Sequence, residues 1–287
     1  MSAARLRELV DAPGATLLAG CYDGVSARLV EEAGFDAAHM SGFAVAGSLL
    51  GQPDVGLLTM TEMADAAARL ARVLSIPLLA DADTGYGNAI NVIRTVEAYI
   101  AGGVAGLHLE DQVMPKRCGH LAGKDVIEVD EMAGKLRAAI DARKASASDI
   151  VIVARTDARA IEGLDAAIER GRRYRDAGAD LLFVEALESP AEIETVATAF
   201  ADVPLVFNAS AARPPEFTMD ELGELGFSIV FAPITALLSA TRAIQSALAE
   251  LLARGPTAER LDAMASYDEF LRLVGIDHIT TQEDRYR

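Results

Sequence analysis

Apolar and polar positions along this chain repeat one unit: a short β-rich apolar run, a polar or glycine-rich junction, then an amphipathic stretch rich in Ala and Leu. The runs are Ala15 to Gly20, Ala37 to Gly42, Pro77 to Asp83, Gly106 to Asp111, Ile150 to Asp157, Leu181 to Ala186, Val203 to Asn208 and Ile229 to Pro233. Stretches of helical length follow at about 23–33, 60–74, 88–102, 130–144, 161–177, 190–200, 218–226 and 235–254. Eight β-α units in about 250 residues predict a (β/α)8 TIM barrel, with a doubly wound sheet as the alternative.

Polar residues gather at the carboxyl ends of the runs: Ser41, Asp81 and Asp83, Glu110 and Asp111, Arg155 and Asp157, Glu185, and Asn208. Any one of these is equally well a helix cap or turn former. Six strands ending this way point to a barrel active site, which forms at that face.

The 287 residues are 51% hydrophobic, enough for one large domain. No apolar run approaches the roughly eighteen residues of a membrane span, and the amino-terminal MSAARLRELVDAPG lacks a signal-peptide hydrophobic region. A cytoplasmic location without membrane contact is therefore expected. The formal charge of −17 argues against nucleic acid as a partner. It also requires that an anionic substrate meet locally concentrated Arg and Lys.

The segment Lys116-Arg117-Cys118-Gly119-His120 sets a thiol beside two cationic neighbours, which favours thiolate and predicts a reactive cysteine. Asp81, Asp83 and Glu110, from neighbouring strands, form a hard oxygen set suited to Mg²⁺ retaining several waters. Cysteine and histidine are not at zinc-ligand spacing. Arg155 suits a bidentate grip on a carboxylate, or else an ion pair with Asp157 or Glu185. None of the lysines, Lys116, Lys124, Lys135 and Lys144, lies on an expected strand, which argues against Schiff-base chemistry. Gly85-Tyr86-Gly87 lacks the third glycine of a dinucleotide fingerprint. Cys21 reads as a small buried hydrophobe.

Ser41-Gly42, the DADTGYG run from Asp81, LHLEDQ, PKRCGH, ARTDAR from Ala154 and FVEA from Phe183 together resemble the isocitrate lyase and phosphoenolpyruvate mutase superfamily. The similarity runs in order from about Tyr22 to Leu251, and KRCGH is characteristic of the carbon–carbon lyase branch. The resemblance implies a Mg²⁺-dependent barrel over residues 1–254, with a gating loop near 112–129 and Mn²⁺ as an alternative ion. It also implies a homotetramer whose C-terminal extension, 255–287, is exchanged between subunits. Met264, Phe270, Leu271, Leu273 and Val274 suit that exchange, or packing on the chain's own barrel.

Carried over residue by residue, the resemblance gives Asp81, Asp83 and Glu110 to the metal and makes Cys118 the general acid, with Arg155 and Glu185 beside it. Ser41, Gly42, Phe43, Gly119, His120, Asn208 and Arg213 fall at the substrate, with main-chain amides of Ser41, Gly42, Cys118 and Gly119 contacting its carboxylates or supporting those contacts. His120 orders the gate or moves a proton, and Lys124 belongs to the gate or is merely solvated. The implied reaction takes the proton from the C2 hydroxyl of a 2-hydroxy dicarboxylate, breaks C2–C3, and returns a proton from Cys118 to C3. The acceptor of the hydroxyl proton is unassigned: His39 stands where some relatives carry Tyr, and a water or nearby carboxylate is the alternative.

Three departures bear on the substrate. Leu238 stands where methylisocitrate lyases place an Arg for an extra carboxylate, and Phe43 follows Ser-Gly as in dimethylmalate-lyase-like relatives. Both favour a substituted (2R)-malate. Ala211, three residues after Asn208, replaces an acid usual in lyase relatives, so Arg213 is expected to remodel the pocket or the activity to have drifted. The alternatives within the superfamily are a 2-methylisocitrate lyase, an oxaloacetate hydrolase or decarboxylase, and a phosphonate mutase. A non-catalytic metabolite-binding barrel is the reading from another class.

Overall fold

The computed structural model describes residues 2–210, 216–256 and 264–287. Strands β1 (Thr16–Cys21), β2 (Ala38–Met40), β3 (Leu78–Asp81), β4 (Gly106–Glu110), β5 (Val151–Thr156), β6 (Leu181–Val184), β7 (Leu205–Asn208) and β8 (Phe227–Ala232) form a closed parallel barrel in chain order. The closing contact sets Thr16 of β1 opposite Ile229 of β8 and Ala19 opposite Ala232, which rules out the open doubly wound sheet.

Strands buried on both faces read as continuous apolar runs, and the twofold alternation of side chains then sorts them into two cores. Leu79, Val151, Val153, Leu181, Val206 and Ile229 fill the barrel interior. Their alternating neighbours Ala80, Ile152, Ala154, Leu182, Leu205 and Val230 pack outward into the helical layer. The inward parity continues through Ser41, Asp81, Glu110, Arg155, Glu185 and Asn208, so one alternation supplies the core and, at its upper end, the polar mouth.

The surrounding helices are α1 (Ser2–Asp11), α2 (Gly24–Glu32), α3 (Gly42–Leu50), α4 (Met60–Val73), α5 (Ala89–Ala101), α6 (Val129–Ala145), α7 (Arg159–Glu162), α8 (Leu164–Asp176), α9 (Pro190–Ala199), α10 (Met219–Glu224), α11 (Thr235–Arg254), α12 (Tyr267–Leu273) and α13 (Ile276–Arg285). Among the described residues, none is long and apolar enough to cross a membrane. The stretch expected at 161–177 is two helices, because Gly163 takes φ 96° between α7 and α8. Two helices lacked a clear signal. α3 is apolar on nearly every face and has no amphipathic period. α1 precedes the first strand and closes the lower end of the barrel, where Leu6, Leu9 and Val10 are buried. Leu6 reaches so far in that a β-carbon on Gly106 would lie 2.7 Å from its Cδ2. Burying one such leucine stabilises the fold by about 1.5–3 kcal/mol.

Candidate active site

The turn from β2 into α3 runs directly against Asp81 at the end of β3. Ser41 caps α3, its Oγ accepting from Ala44 N at 3.3 Å, and the Gly42 amide donates to Asp81 Oδ2 at 3.2 Å. A β-carbon at Gly42 would sit 2.5 Å from that oxygen, so only glycine admits the approach. Asp81 Oδ1 accepts from the Asp83 amide at 2.9 Å, while Tyr99 on α5 donates to the Asp81 carbonyl at 2.8 Å. Asp83 itself turns the chain at φ 46°.

Lys116 Nζ lies 2.6 Å from Asp54 Oδ1 and 2.7 Å from Asp83 Oδ1, and all three side chains are buried. Arg155 Nε is 2.9 Å from Asp157 Oδ2 and 3.3 Å from Glu110 Oε2, and Nη2 is 3.5 Å from Glu185 Oε2. Asn208 Nδ2 and the Ala186 amide both donate to Glu185. These contacts divide the acids by charge state. Burial opposes ionisation of Asp81, yet His108, Lys116, Arg155 and the Asp83 amide hold it well below the usual carboxylate range. Burial, with Asp81 and Asp54 nearby, pushes Asp83 up to about 6. Glu110 is raised well above its ordinary value by burial, with Asp157 and Asp81 adding to it against Arg155.

The segment from 112 to 126 folds over this mouth. Its base is an antiparallel neck, with Val113 N donating to Asp125 O and Ile127 N to Asp111 O, both at 2.9 Å. The Gln112 amide donates to Arg117 O and accepts from Arg117 N, at 2.9 Å each way. The Cys118 amide donates to Asp54 O at 3.0 Å. Lys124 Nζ donates to Gly119 O at 2.5 Å and to Asp157 Oδ1 at 2.9 Å. Gly119 is wedged in: a β-carbon there would fall 2.7 Å from both Arg155 Nη2 and Glu185 Cγ.

The inner cavity measures about 220 Å³. Ser41, Phe43, Asp81, Glu110, Cys118, Gly119, His120, Arg155, Glu185 and Asn208, all expected from the sequence, line it together. Gly42 and Asp83 stand directly behind that lining, through Asp81 and Lys116. Arg213 and Ala211 lie outside the described residues. An outer cavity of about 780 Å³ shares Gly119, His120, Leu121, Glu185 and Asn208 with the inner one and leads toward it.

Several expectations need correction. Cys118 is not an activated thiolate: burial, then Asp54 and Glu185, raise its pKa above the ordinary value, against the His120 amide and Arg155. Its cationic neighbours point elsewhere, Lys116 into acids and Arg117 along the exposed loop. Lys124 is not a solvated residue, because its side chain is 3% exposed in the pair with Asp157. The Gly42 amide donates to Asp81 and the Cys118 amide to the Asp54 carbonyl, contacts of the supporting kind. Leu238 is 45% exposed on α11 and does not line the cavity, so it forms no buried wall against a third carboxylate. Lys116 does enter the site, but its surrounding carboxylates keep it protonated and non-nucleophilic. Cys21 is fully buried, its thiol pushed up to about 12, as a core hydrophobe.

Sequence reasoning missed Asp54, Lys116, His108, Ser210, Phe183 and Phe231 as lining residues. His108 and Phe183 were readable, since each precedes a polar strand-end residue by two positions and shares its inward parity. Asp54 was not, because only the folded α3–α4 loop brings it to Lys116.

Acids outnumber cations here: Asp54, Asp81, Asp83, Glu110, Asp157 and Glu185 face Lys116, Lys124 and Arg155. Glu110 Oε1 is buried without a hydrogen-bond partner. That excess and the orphaned oxygen fit a hard divalent cation. Among the described residues no three His, Cys, Asp or Glu converge to hold an ion by themselves. Mg²⁺ does not need such a cage, being bound through one or two carboxylates with waters and substrate, so Asp81, Asp83 and Glu110 fit it.

Comparison with known proteins agrees with this architecture. The model of the phosphoenolpyruvate phosphomutase family matches residues 6–252. The 2,3-dimethylmalate lyase of Eubacterium barkeri is 41% identical over 285 residues, covering 99% of this chain and 98% of that protein. A solved oxaloacetate acetylhydrolase with 3,3-difluorooxalacetate is 37% identical, with TM-score 0.94 over 99% of this chain and 96% of its own. A phosphonopyruvate hydrolase solved with oxalate and Mg²⁺ is 30% identical, with TM-score 0.91 over 100% and 99%.

Proposed function

This chain belongs to the phosphoenolpyruvate phosphomutase family, and from that premise we propose that it is a Mg²⁺-dependent carbon–carbon lyase. Its substrate is a substituted (2R)-malate such as 2,3-dimethylmalate, cleaved to a 2-oxo acid and a short carboxylate. The observation that carries this reading is the Cys118 thiol, kept protonated at the cavity wall. A carbanionic fragment needs a proton donor that is neutral until the bond breaks, and an activated thiolate would not serve.

Asp81, Asp83 and Glu110 would hold the ion. Bound Mg²⁺ supplies Lewis acidity toward a hydroxyl and positive charge for a developing oxyanion. The chain's own residues do the rest. Loss of the C2 hydroxyl proton forms a carbonyl as C2–C3 breaks, and the electron pair passes to the departing carboxylate fragment. Arg155, permanently charged among its acids, stabilises that charge in a water-poor cavity. The hydroxyl proton passes to a water or a nearby carboxylate and Cys118 gives its own proton to C3, so one proton leaves the substrate and one returns. Glu185 and Asn208 hold the Arg155 edge in place. The Lys124 latch on Gly119 and Asp157 keeps water out while the thiol acts. A cavity of about 220 Å³ suits a short, branched dicarboxylate.

A homotetramer with an exchanged C-terminal segment belongs to the same reading. Support comes from the exposed apolar side chains of α11 to α13, among them Ile244, Leu248, Leu252, Phe270 and Ile279. Exposed apolar side chains gathered on one set of helices are the kind of surface that an interface covers.

The test is incubation of purified protein, with Mg²⁺ or EDTA, with 2,3-dimethylmalate, 2-methylmalate, 2-methylisocitrate, oxaloacetate and phosphonopyruvate, with products identified by mass spectrometry. Cleavage of a malate, abolished by EDTA and crippled in Cys118→Ser, is expected. Turnover of oxaloacetate or phosphonopyruvate alone would replace the lyase by a hydrolase or mutase.

A further inference from the structure

The last arginine of the ARTDAR run, Arg159, opens α7 just beyond β5 and does not line the inner cavity. Its guanidinium reaches across to the turn between β6 and α9. Nε donates to Glu192 Oε2 at 3.0 Å and Nη2 to Glu192 Oε1 at 2.6 Å, a two-point grip, and Nη2 also donates to Glu188 Oε2 at 2.7 Å. Glu192 passes the hold on: its Oε2 accepts from the Glu188 amide at 2.7 Å, while its own amide donates to the capping Ser189 Oγ at 3.3 Å. Bidentate arginine–carboxylate pairs fix geometry as well as charge. The Arg159 side chain is 13% exposed, so this grip is largely shielded from water.

The turn held in this way begins at a strained residue. Ala186 has φ 61°, in the left-handed region that residues with a β-carbon seldom enter. Such a conformation persists where its surroundings over-determine it. From it the Ala186 amide turns back and donates to Glu185 Oε1 at 2.9 Å. Glu185 Oε2 accepts from Asn208 Nδ2 at 3.1 Å and lies 3.5 Å from Arg155 Nη2, and a β-carbon on Gly119 would fall 2.7 Å from Glu185 Cγ. The backbone of Ala186 therefore sets where Glu185 meets both Arg155 and the loop. The ends of β5 and β6 are joined twice, by Arg155 with Glu185 at the mouth and by Arg159 with Glu192 at the rim.

We propose that Arg159 is a positioning residue: by clamping Glu192 and Glu188 it holds Ala186 left-handed, so that the Ala186 amide keeps Glu185 against Arg155. Without the clamp the alanine relaxes toward the ordinary backbone region, its amide leaves Glu185, and the carboxylate loses the donor that orients it. A glycine at position 186 has no such preference and tolerates the left-handed turn with or without the clamp. That difference separates the effect of Arg159 on the turn from its effect on stability. The inference rests on the place given to Glu185 and Arg155 in the proposed reaction.

The experiment compares full-length wild type, Arg159→Met and the double variant Arg159→Met/Ala186→Gly, well below each denaturation midpoint. It reads kcat and KM on 2,3-dimethylmalate with Mg²⁺, and amide hydrogen–deuterium exchange at residue 186 by mass spectrometry. Arg159→Met is expected to lower kcat at least about fivefold, with KM within about twofold, and to speed exchange at residue 186 by at least about fivefold, the ratio by which an alanine disfavours the left-handed turn. The double variant is expected to recover kcat to within about twofold of wild type, while its midpoint stays low because the ion pairs are still missing. A merely structural clamp would lower the midpoint alone, and the glycine would restore nothing. Unchanged kcat or unchanged exchange in Arg159→Met, or no recovery in the double variant, would overturn the proposal. If wild type does not cleave 2,3-dimethylmalate, the substrate reading falls, and exchange at residue 186 alone decides whether Arg159 holds the turn.

Discussion

Lys116 and Asp83 form a buried ion pair at 2.7 Å, so the first cation of the cysteine motif neutralises acids beneath the loop instead of activating the thiol. Asp54 shares the same ammonium at 2.6 Å. Removing one partner of a buried pair leaves an uncompensated charge and costs about 3–5 kcal/mol. Lys116→Met is therefore expected to lower the melting temperature markedly without Mg²⁺, and Mg²⁺ should restore more stability to the variant than to wild type. Thermal denaturation with and without Mg²⁺ checks this; equal melting temperatures would contradict the pairing.

Cys118 should behave as a sluggish thiol. Its pKa is raised by burial and nearby acids, so the protonated form that donates to carbon persists through neutral pH and is lost only as pH climbs through that raised value. Alkylation by iodoacetamide at pH 7 should run slower than for free cysteine and accelerate into the alkaline range. Activity should be steady across neutral pH and fall on the alkaline side. Cys118→Ser should reduce kcat by about 10²–10⁴, while rapid alkylation at pH 7 would show an activated thiolate after all.

Two glycines carry steric predictions of different kinds. Gly42→Ala puts a carbon 2.5 Å from Asp81 Oδ2 and is expected to weaken Mg²⁺ binding as that carboxylate is displaced. Gly119→Ala collides with Arg155 and Glu185 at 2.7 Å and should prevent the gate from seating, lowering kcat/KM with Mg²⁺ affinity retained. Calorimetric titration beside steady-state kinetics separates the two, and loss of the same parameter in both would sink the distinction.

The latch from Lys124 to Asp157 has its own pH signature. Burial alone would raise the Asp157 pKa, but Arg155 and Lys124 outweigh it and hold the carboxyl below the usual range. A depressed carboxyl contributes stability that is present above its unfolded pKa of about 3.9 and is lost as pH falls through the lower folded value. The loop should therefore stay pinned to Asp157 in mild acid. Limited proteolysis within 120–123 should remain slow down to about pH 4 in wild type and be fast at neutral pH in Lys124→Met.

At the opposite end of the barrel, Asp180 ties three elements together. Its carboxylate takes Arg7 from α1 at 3.2 Å, Arg143 from α6 at 2.5 Å and the Ile152 amide of β5 at 2.7 Å. Asp180→Ala should destabilise the protein by about 2–4 kcal/mol, through lost pairing and unsatisfied donors. Turnover at a permissive temperature should be unchanged, because the mouth is at the far end. A fall in kcat without a fall in denaturation midpoint would contradict this separation.

The barrel and most of its mouth were legible because both rest on one local rule. Side chains alternate along a strand, so Val151, Val153 and Arg155, or Leu181, Phe183 and Glu185, share a direction fixed by the backbone whatever surrounds them. Eight apolar runs separated by helices leave few ways to bury the sheet, and polar strand ends then have one face to occupy. α3 escaped because an evenly apolar helix has no period to read.

Sequence alone determined the alternation, the ring of acids with Arg155, and the presence of Cys118 in a glycine-bearing loop. Charge state was beyond it. Proximity in the chain suggested that Lys116 and Arg117 acidify the thiol, but an ionisable group responds to distance and burial in space. Only the folded loop, which sends Lys116 to Asp54 and Asp83 and sets a half-buried Cys118 near Glu185, decided that the thiol keeps its proton. The same holds for Lys124 on Asp157 and for His39 against His108: each pairs partners far apart in sequence, and the closed barrel brings them within hydrogen-bonding distance.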